Sequence, residues 1–141
     1  MSVSRITVFV PPEPDNIIRV TQIIGEAGVN GVIMTLNRLY EGNTIRFIVD
    51  KPHEAVEALS KNNCLVKAED IYAIEIDDVP GSLASFLGLL KKNGILYDSL
   101  QVLPSGTDLE KAVILIQSDL EILPQIVKQN GYRLLSGEDL T

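Results

Sequence analysis

Moved 66 residues along itself, the chain meets its own pattern: Val10 falls on Ile76, Pro14 on Pro80, Ile17 on Leu83, Val20 on Phe86, Ile23 on Leu89, Ile24 on Leu90, Gly28 on Gly94 and Val29 on Ile95. An internal repeat of this length restricts the fold more than any other feature, because both copies must be folded units of one kind. The matched positions are apolar residues at helical spacing, with a proline before them and a glycine after. What repeats is therefore a strand end, a turn, a helix and a helix stop. The chain is expected to divide into units 1–69 and 70–141.

Each unit reads as the same string of elements. In the first, Arg5–Val10 alternates as a strand, and Ile17–Gly28 sets Ile17, Val20, Ile23, Ile24 and Ala27 on one helical face. Val29–Tyr40 and Asn43–Asp50 form a hairpin around Glu41-Gly42, and Lys51–Asn62 is a second helix with Pro52 in its first turn. Cys64–Ile76 closes the first unit and opens the second. The second copy follows with a helix over Ser82–Asn93, a hairpin of Ile95–Leu103 with Leu109–Gln117, a helix over Leu120–Asn130 and a strand at Tyr132–Leu135. The order βαββαβ, twice, is the split arrangement of the ferredoxin-like fold: an α+β unit with two helices on one face of an antiparallel sheet. A unit of about 70 residues buries little surface alone, so the two are expected to pack as a pseudo-dimer.

Charge and residue supply narrow the chemistry. Twelve Lys and Arg against nineteen Asp and Glu leave −7, with no basic cluster, so nucleic acid and anionic membranes are not expected partners. RNA-recognition motifs share the βαββαβ order but rely on sheet aromatics and basic charge, and this chain has three Phe, four Tyr and a net negative charge. Cys64 has no second Cys or His at ligand spacing, so no disulfide framework or zinc site can form and a reducing cytoplasm fits. The N-terminal apolar run is five residues, too short for a signal peptide, and no stretch reaches the length of a membrane span. Catalytic groups are scarce. His53, in a first helical turn, reads as a solvated residue, and no nucleophile-activating arrangement accompanies Arg5 or Arg19 as an acylphosphatase would need. No enzyme activity, cofactor or metal is expected.

The stretch Asp77-Asp78-Val79-Pro80-Gly81-Ser82-Leu83 stands apart. Pro80 fixes its φ, Gly81 lets the backbone come close to a ligand, and Ser82 caps or enters the first turn of the following helix. Unpaired amides at such a helix start favour a carboxylate or phosphate. With Asp78 beside them to take a cation, the pattern suits an α-amino acid. A strand-to-helix turn that caps itself is the other reading of the same residues.

Strand, Asp77 to Leu83, apolar helix, Asn93-Gly94-Ile95 and second strand together resemble the ACT domain, a small-molecule sensing module of amino-acid metabolism. The tandem form, ending in Tyr132-Arg133-Leu134-Leu135-Ser136, is similar to stand-alone ACT-repeat proteins, some of which lie beside phenylacetate-CoA ligase. The resemblance implies side-by-side repeats in one eight-stranded antiparallel sheet. The effector would lie between the strand-to-helix loop of one repeat and the start of the second strand of the other. It implies a complete site from Asp77, Asp78, Val79, Pro80, Gly81, Ser82 and Leu83 with Asn30, where Asp78 holds the ammonium, the Gly81, Ser82 and Leu83 amides hold the carboxylate and Asn30 orients the ligand. The mirror site, Pro11 to Ile17, has Asp15 in place of the glycine and faces Leu96 instead of Asn, so it is expected to be degraded. A free amino acid as effector, a metabolic enzyme as partner and a homodimer complete the expectation; a ligand-free protein-interaction subunit is the alternative.

Overall fold

The structure is a computed structural model that describes residues 2–39, 42–118 and 121–140. It forms two compact units, Ser4–Glu69 and Asp70–Leu140, with the first residues of the chain grouped with the second.

In the N-terminal unit, strand β1 (Val3–Val10) leads into helix α1 (Pro14–Glu26), then β2 (Gly31–Leu39), β3 (Gly42–Val49), helix α2 (Pro52–Lys61) and the start of β4 (Leu65–Asp77). The antiparallel order is β2-β3-β1-β4, with Val8 opposite Ile45 and Leu39 opposite Gly42 at the hairpin. Tyr40 and Glu41 of the expected turn lie outside the described residues. Alternate residues of β1 (Ile6, Val8, Val10) and β3 (Ile45, Phe47, Val49) meet Val20, Ile24, Ala55 and Leu59 of the helices in one core.

The C-terminal unit repeats the plan. The rest of β4 is followed by α3 (Ser82–Lys92), β5 (Ser99–Pro104), β6 (Lys111–Gln117), α4 (Leu123–Gln129), β7 (Arg133–Leu135) and a one-turn α5 (Gly137–Leu140). Here β6 and β7 flank β4 and β5 pairs with β6, so the first strand of the unit again lies between its third and fourth. Ile74, Ile114 and Ile116 pack with Phe86, Leu90, Leu123 and Val127, and the Phe86 and Tyr132 rings meet edge to face at 5.3 Å.

Among the described residues the strands number seven where eight are expected, because one 13-residue strand, β4, serves as the last strand of one unit and the first of the next. Boundaries differ as well: α1 starts at Pro14 and not Ile17, β2 at Gly31 and not Val29, and β6 at Lys111 and not Leu109. The expected strand from Ile95 begins at Ser99, and the helix expected over Leu120–Asn130 is described from Leu123, Leu120 itself lying outside the described residues.

Helices α1 to α4 end alike. The amides of Val29, Cys64, Ile95 and Tyr132 donate to Ile24, Leu59, Leu90 and Val127 carbonyls at 3.2, 3.0, 2.9 and 3.0 Å, each across a left-handed residue. This is the Schellman stop, in which the residue after the left-handed one turns back onto the core. It explains Cys64, which packs against the N-terminal core directly after Asn63 (φ 62°). It also explains why Ile95 is lost to the strand: it is the buried anchor of the helix stop.

Candidate functional site

The Asp77–Leu83 segment joins β4 to α3 at the surface of the C-terminal unit. Asp77 is still paired with Lys111 across β4 and β6, and the Asp78 amide extends that ladder one step by donating to the Glu110 carbonyl at 2.8 Å. Beyond it the chain turns. The Ser82 amide donates to the Val79 carbonyl at 3.2 Å, closing a four-residue turn with Pro80 and Gly81 at its centre. Gly81 sits at φ 91°, ψ −14°, the left-handed conformation that the third residue of a Pro-Gly type II turn requires. The helix then begins at Ser82, and the Ser85 amide returns to the Gly81 carbonyl at 3.0 Å.

This geometry divides the roles of the expected site residues. Among the described residues, Gly81 and Leu83 amides have no backbone acceptor, as at any helix start. The Ser82 amide is drawn into the turn, so what Ser82 offers outward is its hydroxyl. Asp77 forms an ion pair and hydrogen bond with Lys111, and this hydrogen bond, with the charge behind it, raises the Lys111 pKa above the ordinary lysine value. Asp78 is exposed, and its carboxylate has no protein partner among the described residues. Val79 and Pro80 form the exposed outer edge of the turn, and Leu83 packs its side chain on the core.

Asn30 belongs to the N-terminal unit, directly before β2. Its backbone is held on both sides by Asp50: the Asn30 amide donates to Asp50 Oδ1 at 2.9 Å and the Asp50 amide donates to the Asn30 carbonyl at 3.1 Å. The residue is exposed, and its main chain is fixed while its side chain stays outside that pair.

The first-copy loop is built differently. Helix α1 begins at Pro14 with Glu13 as its cap residue, two positions earlier than α3 in the repeat frame. Asp15 therefore lies within the first helical turn, where its counterpart Gly81 is left-handed. The Asn16 amide donates to the Glu13 carbonyl at 3.1 Å, as its counterpart Ser82 does to Val79, and Asn16 Nδ2 adds bonds to Glu13 Oε2 at 2.8 Å and to the Pro11 carbonyl at 3.2 Å. Leu96, the counterpart of Asn30, is 80% exposed, and its carbonyl accepts from Ser118 Oγ at 2.7 Å.

Sequence reasoning missed two participants. Lys111 and Asp50 are reached only through strand pairing and a helix-loop closure, for which single-sequence patterns hold no signal.

No curated protein matches this chain. Among solved structures it is similar to protein BT0572 from Bacteroides thetaiotaomicron, with 23% identity and a TM-score of 0.90, covering 99% of this chain and 96% of that one. It is also similar to the regulatory subunit of aspartate kinase from Thermus flavus (18% identity, TM-score 0.64, 92% of each chain). The ligand-free form of the Thermus thermophilus subunit gives 18% identity and a TM-score of 0.61 over 91% of each chain. At these identities the likeness is one of fold. The family described as an ACT domain pair matches residues 1–121, and the chain belongs to that family.

Proposed function

We propose that this chain is a non-catalytic regulatory protein that binds a free amino acid, with 1–69 and 70–141 as its two ACT repeats and one site per chain. The observation that carries the reading is the turn at Asp77–Leu83. It offers an unpaired carboxylate at Asp78, open amides at Gly81 and Leu83 and the Ser82 hydroxyl within one helix start. A zwitterion matches that set: its ammonium goes to Asp78, and its carboxylate to the amides and the helix dipole. Asp77, held by Lys111, fixes the loop; Val79 and Pro80 shape its edge. Asn30 orients the ligand from the other repeat. The first-copy loop does not bind, since Asp15 stands inside α1 where the second copy has the left-handed Gly81, and its side chain and charge occupy the place where a ligand carboxylate would approach.

Membership of the ACT family supports amino-acid sensing, and the fold shared with aspartate kinase regulatory subunits supports a partner among metabolic enzymes. A cytoplasmic homodimer is the form in which we expect it to act. No helix among the described residues is long and apolar enough to cross a membrane.

The test is a melting panel with free amino acids. A ligand at about 100 times its Kd adds roughly 2.7 kcal/mol, a rise of several degrees. Asn30→Ala should abolish the rise and Leu96→Ala should leave it intact. If no amino acid raises the melting temperature, the chain is a ligand-free interaction subunit; equal loss in the two variants would contradict a single site.

A further inference from the structure

The chain contains three Asn-Gly pairs, Asn30-Gly31, Asn93-Gly94 and Asn130-Gly131. In such a pair the glycine nitrogen can attack the asparagine side chain, because the glycine carries no Cβ to hinder the approach. All six residues are exposed, so access to water does not separate the pairs. Their hydrogen bonds do. Asn93 and Asn130 close α3 and α4, and their Nδ2 atoms donate to the Leu89 and Ile126 carbonyls at 2.9 and 2.8 Å. The glycine amides that follow are engaged as well, Gly94 with the Lys91 carbonyl at 3.1 Å and Gly131 with that of Lys128 at 3.2 Å. In both pairs the side-chain amide and the attacking nitrogen are tied to helix carbonyls.

Asn30 differs at both atoms. Its side chain has no hydrogen-bond partner among the described residues. Its carbonyl accepts from the Asp50 amide and so points toward β3. The Asn30–Gly31 peptide is trans, which turns the Gly31 N–H the opposite way. Because β2 is the outermost strand beyond β3, that N–H lies along the open edge of the sheet, with no strand among the described residues to accept it. An amide open to water loses its proton to base far more readily than one held by a carbonyl. Asp50 thus anchors the Asn30 backbone and leaves the reacting atoms free.

We propose that Asn30 is a site of spontaneous deamidation, selected from the three Asn-Gly pairs by the open edge of β2. The Gly31 nitrogen gives up its proton to base and forms a bond to Asn30 Cγ; the Cγ–Nδ2 bond breaks, and Nδ2 leaves as ammonia after taking a proton from water. Water then opens the succinimide at one of its two carbonyls, giving aspartate or isoaspartate. Either product places a new negative charge next to Asp50, and isoaspartate also lengthens the main chain by a methylene at the entry to β2. One consequence rests on the amino-acid reading above: the modified chain loses the side chain that orients the ligand.

The test incubates the full chain in mildly alkaline buffer, digests it at intervals and follows the three Asn-Gly peptides by mass spectrometry for the exchange of NH2 by OH. The Asn30 peptide should convert at least about tenfold faster than the Asn93 and Asn130 peptides, since each of those must first give up hydrogen bonds. In guanidinium chloride, where the chain is unfolded, the three rates should converge. G31A is the second probe. The Gly31 φ is not left-handed and an added Cβ meets only Phe47 Cδ1, at 4.0 Å, so the fold accommodates the methyl group. It should slow conversion at Asn30 severalfold and leave the other two peptides unchanged. The proposal is overturned if Asn30 in the folded chain converts no faster than the other two, if the same ordering persists in guanidinium chloride, or if G31A converts as fast as the parent. Peptide masses do not depend on ligand binding, so the melting panel on freshly prepared chain can fail while this proposal stands, and the reverse.

Discussion

Replacing Gly81 with Ala tests the conformation on which the proposed amino-acid site depends. An L-residue held left-handed costs about 1–2 kcal/mol. At Gly81, φ 91°, a Cβ meets nothing within 4 Å, so no clash adds to that strain. The loss of unfolded-state freedom on going from Gly to Ala offsets about 0.4–1 kcal/mol. The net expectation is a destabilisation of about 1 kcal/mol. Gly88 is the internal control, because it lies in the same helix, its Cβ also meets open space and its φ is not left-handed. Gly88→Ala should stabilise by about 0.5–1 kcal/mol through helix propensity alone. The two alanine variants, identical in chemistry and seven positions apart in one chain, should therefore move in opposite directions. For a chain of this size their melting temperatures should separate by roughly 5–8 °C. Gly81→Asn should fall between, since Asn tolerates the left-handed region better than Ala. Thermal and urea melts of the set provide the assay. The reasoning is refuted if G81A melts as high as G88A: the turn would then not need a left-handed residue, and the contrast with Asp15 would have no conformational basis.

Two further outcomes concern the packed units. Burial acts to raise the Glu69 pKa, but hydrogen bonds from Arg5 at 2.9 Å and from Lys67, with their charges, outweigh it and hold the carboxyl below its ordinary 4.5. A depressed folded pKa contributes stability that is complete above the unfolded value and disappears as pH falls through the folded one. Glu69→Gln should thus cost about 2 kcal/mol near neutral pH, the size of a hydrogen bond to a charged group. The gap to the parent should narrow below about pH 4.5 and a gap unchanged near pH 3 would contradict the account. Phe86, fully buried and edge-on to Tyr132, should cost about 3–5 kcal/mol when cut to Ala. A loss under about 1 kcal/mol in urea melts would mean that α3 is not packed as described.

The elements were legible in the sequence because their signals are local. The alternation of Ile6, Val8 and Val10 and the helical spacing of Val20, Ile23 and Ile24 each specify which side must be buried, whatever it is buried against. Boundaries were less legible where one residue serves two purposes. Pro14 is an N1 residue, so α1 starts three positions before its first apolar anchor at Ile17. Ile95 reads as a strand residue and is used as the helix-stop anchor. The site was legible in composition but not in the division of roles: nothing in the order Val79-Pro80-Gly81-Ser82 says that the Ser82 amide closes the turn while the Gly81 and Leu83 amides stay open.

By itself the sequence determined a repeated βαββαβ unit, a chain poor in catalytic groups, and a Pro-Gly turn in one copy whose counterpart in the other lacks the glycine. Those follow from periodicity, residue chemistry and backbone permissiveness, which act within a few residues. Only the tertiary structure decided that one strand serves both units and that Lys111 takes Asp77 and leaves Asp78 open. Each of these depends on groups brought together across strands or from distant segments, and such pairings are set by sheet register and packing, which no local pattern encodes.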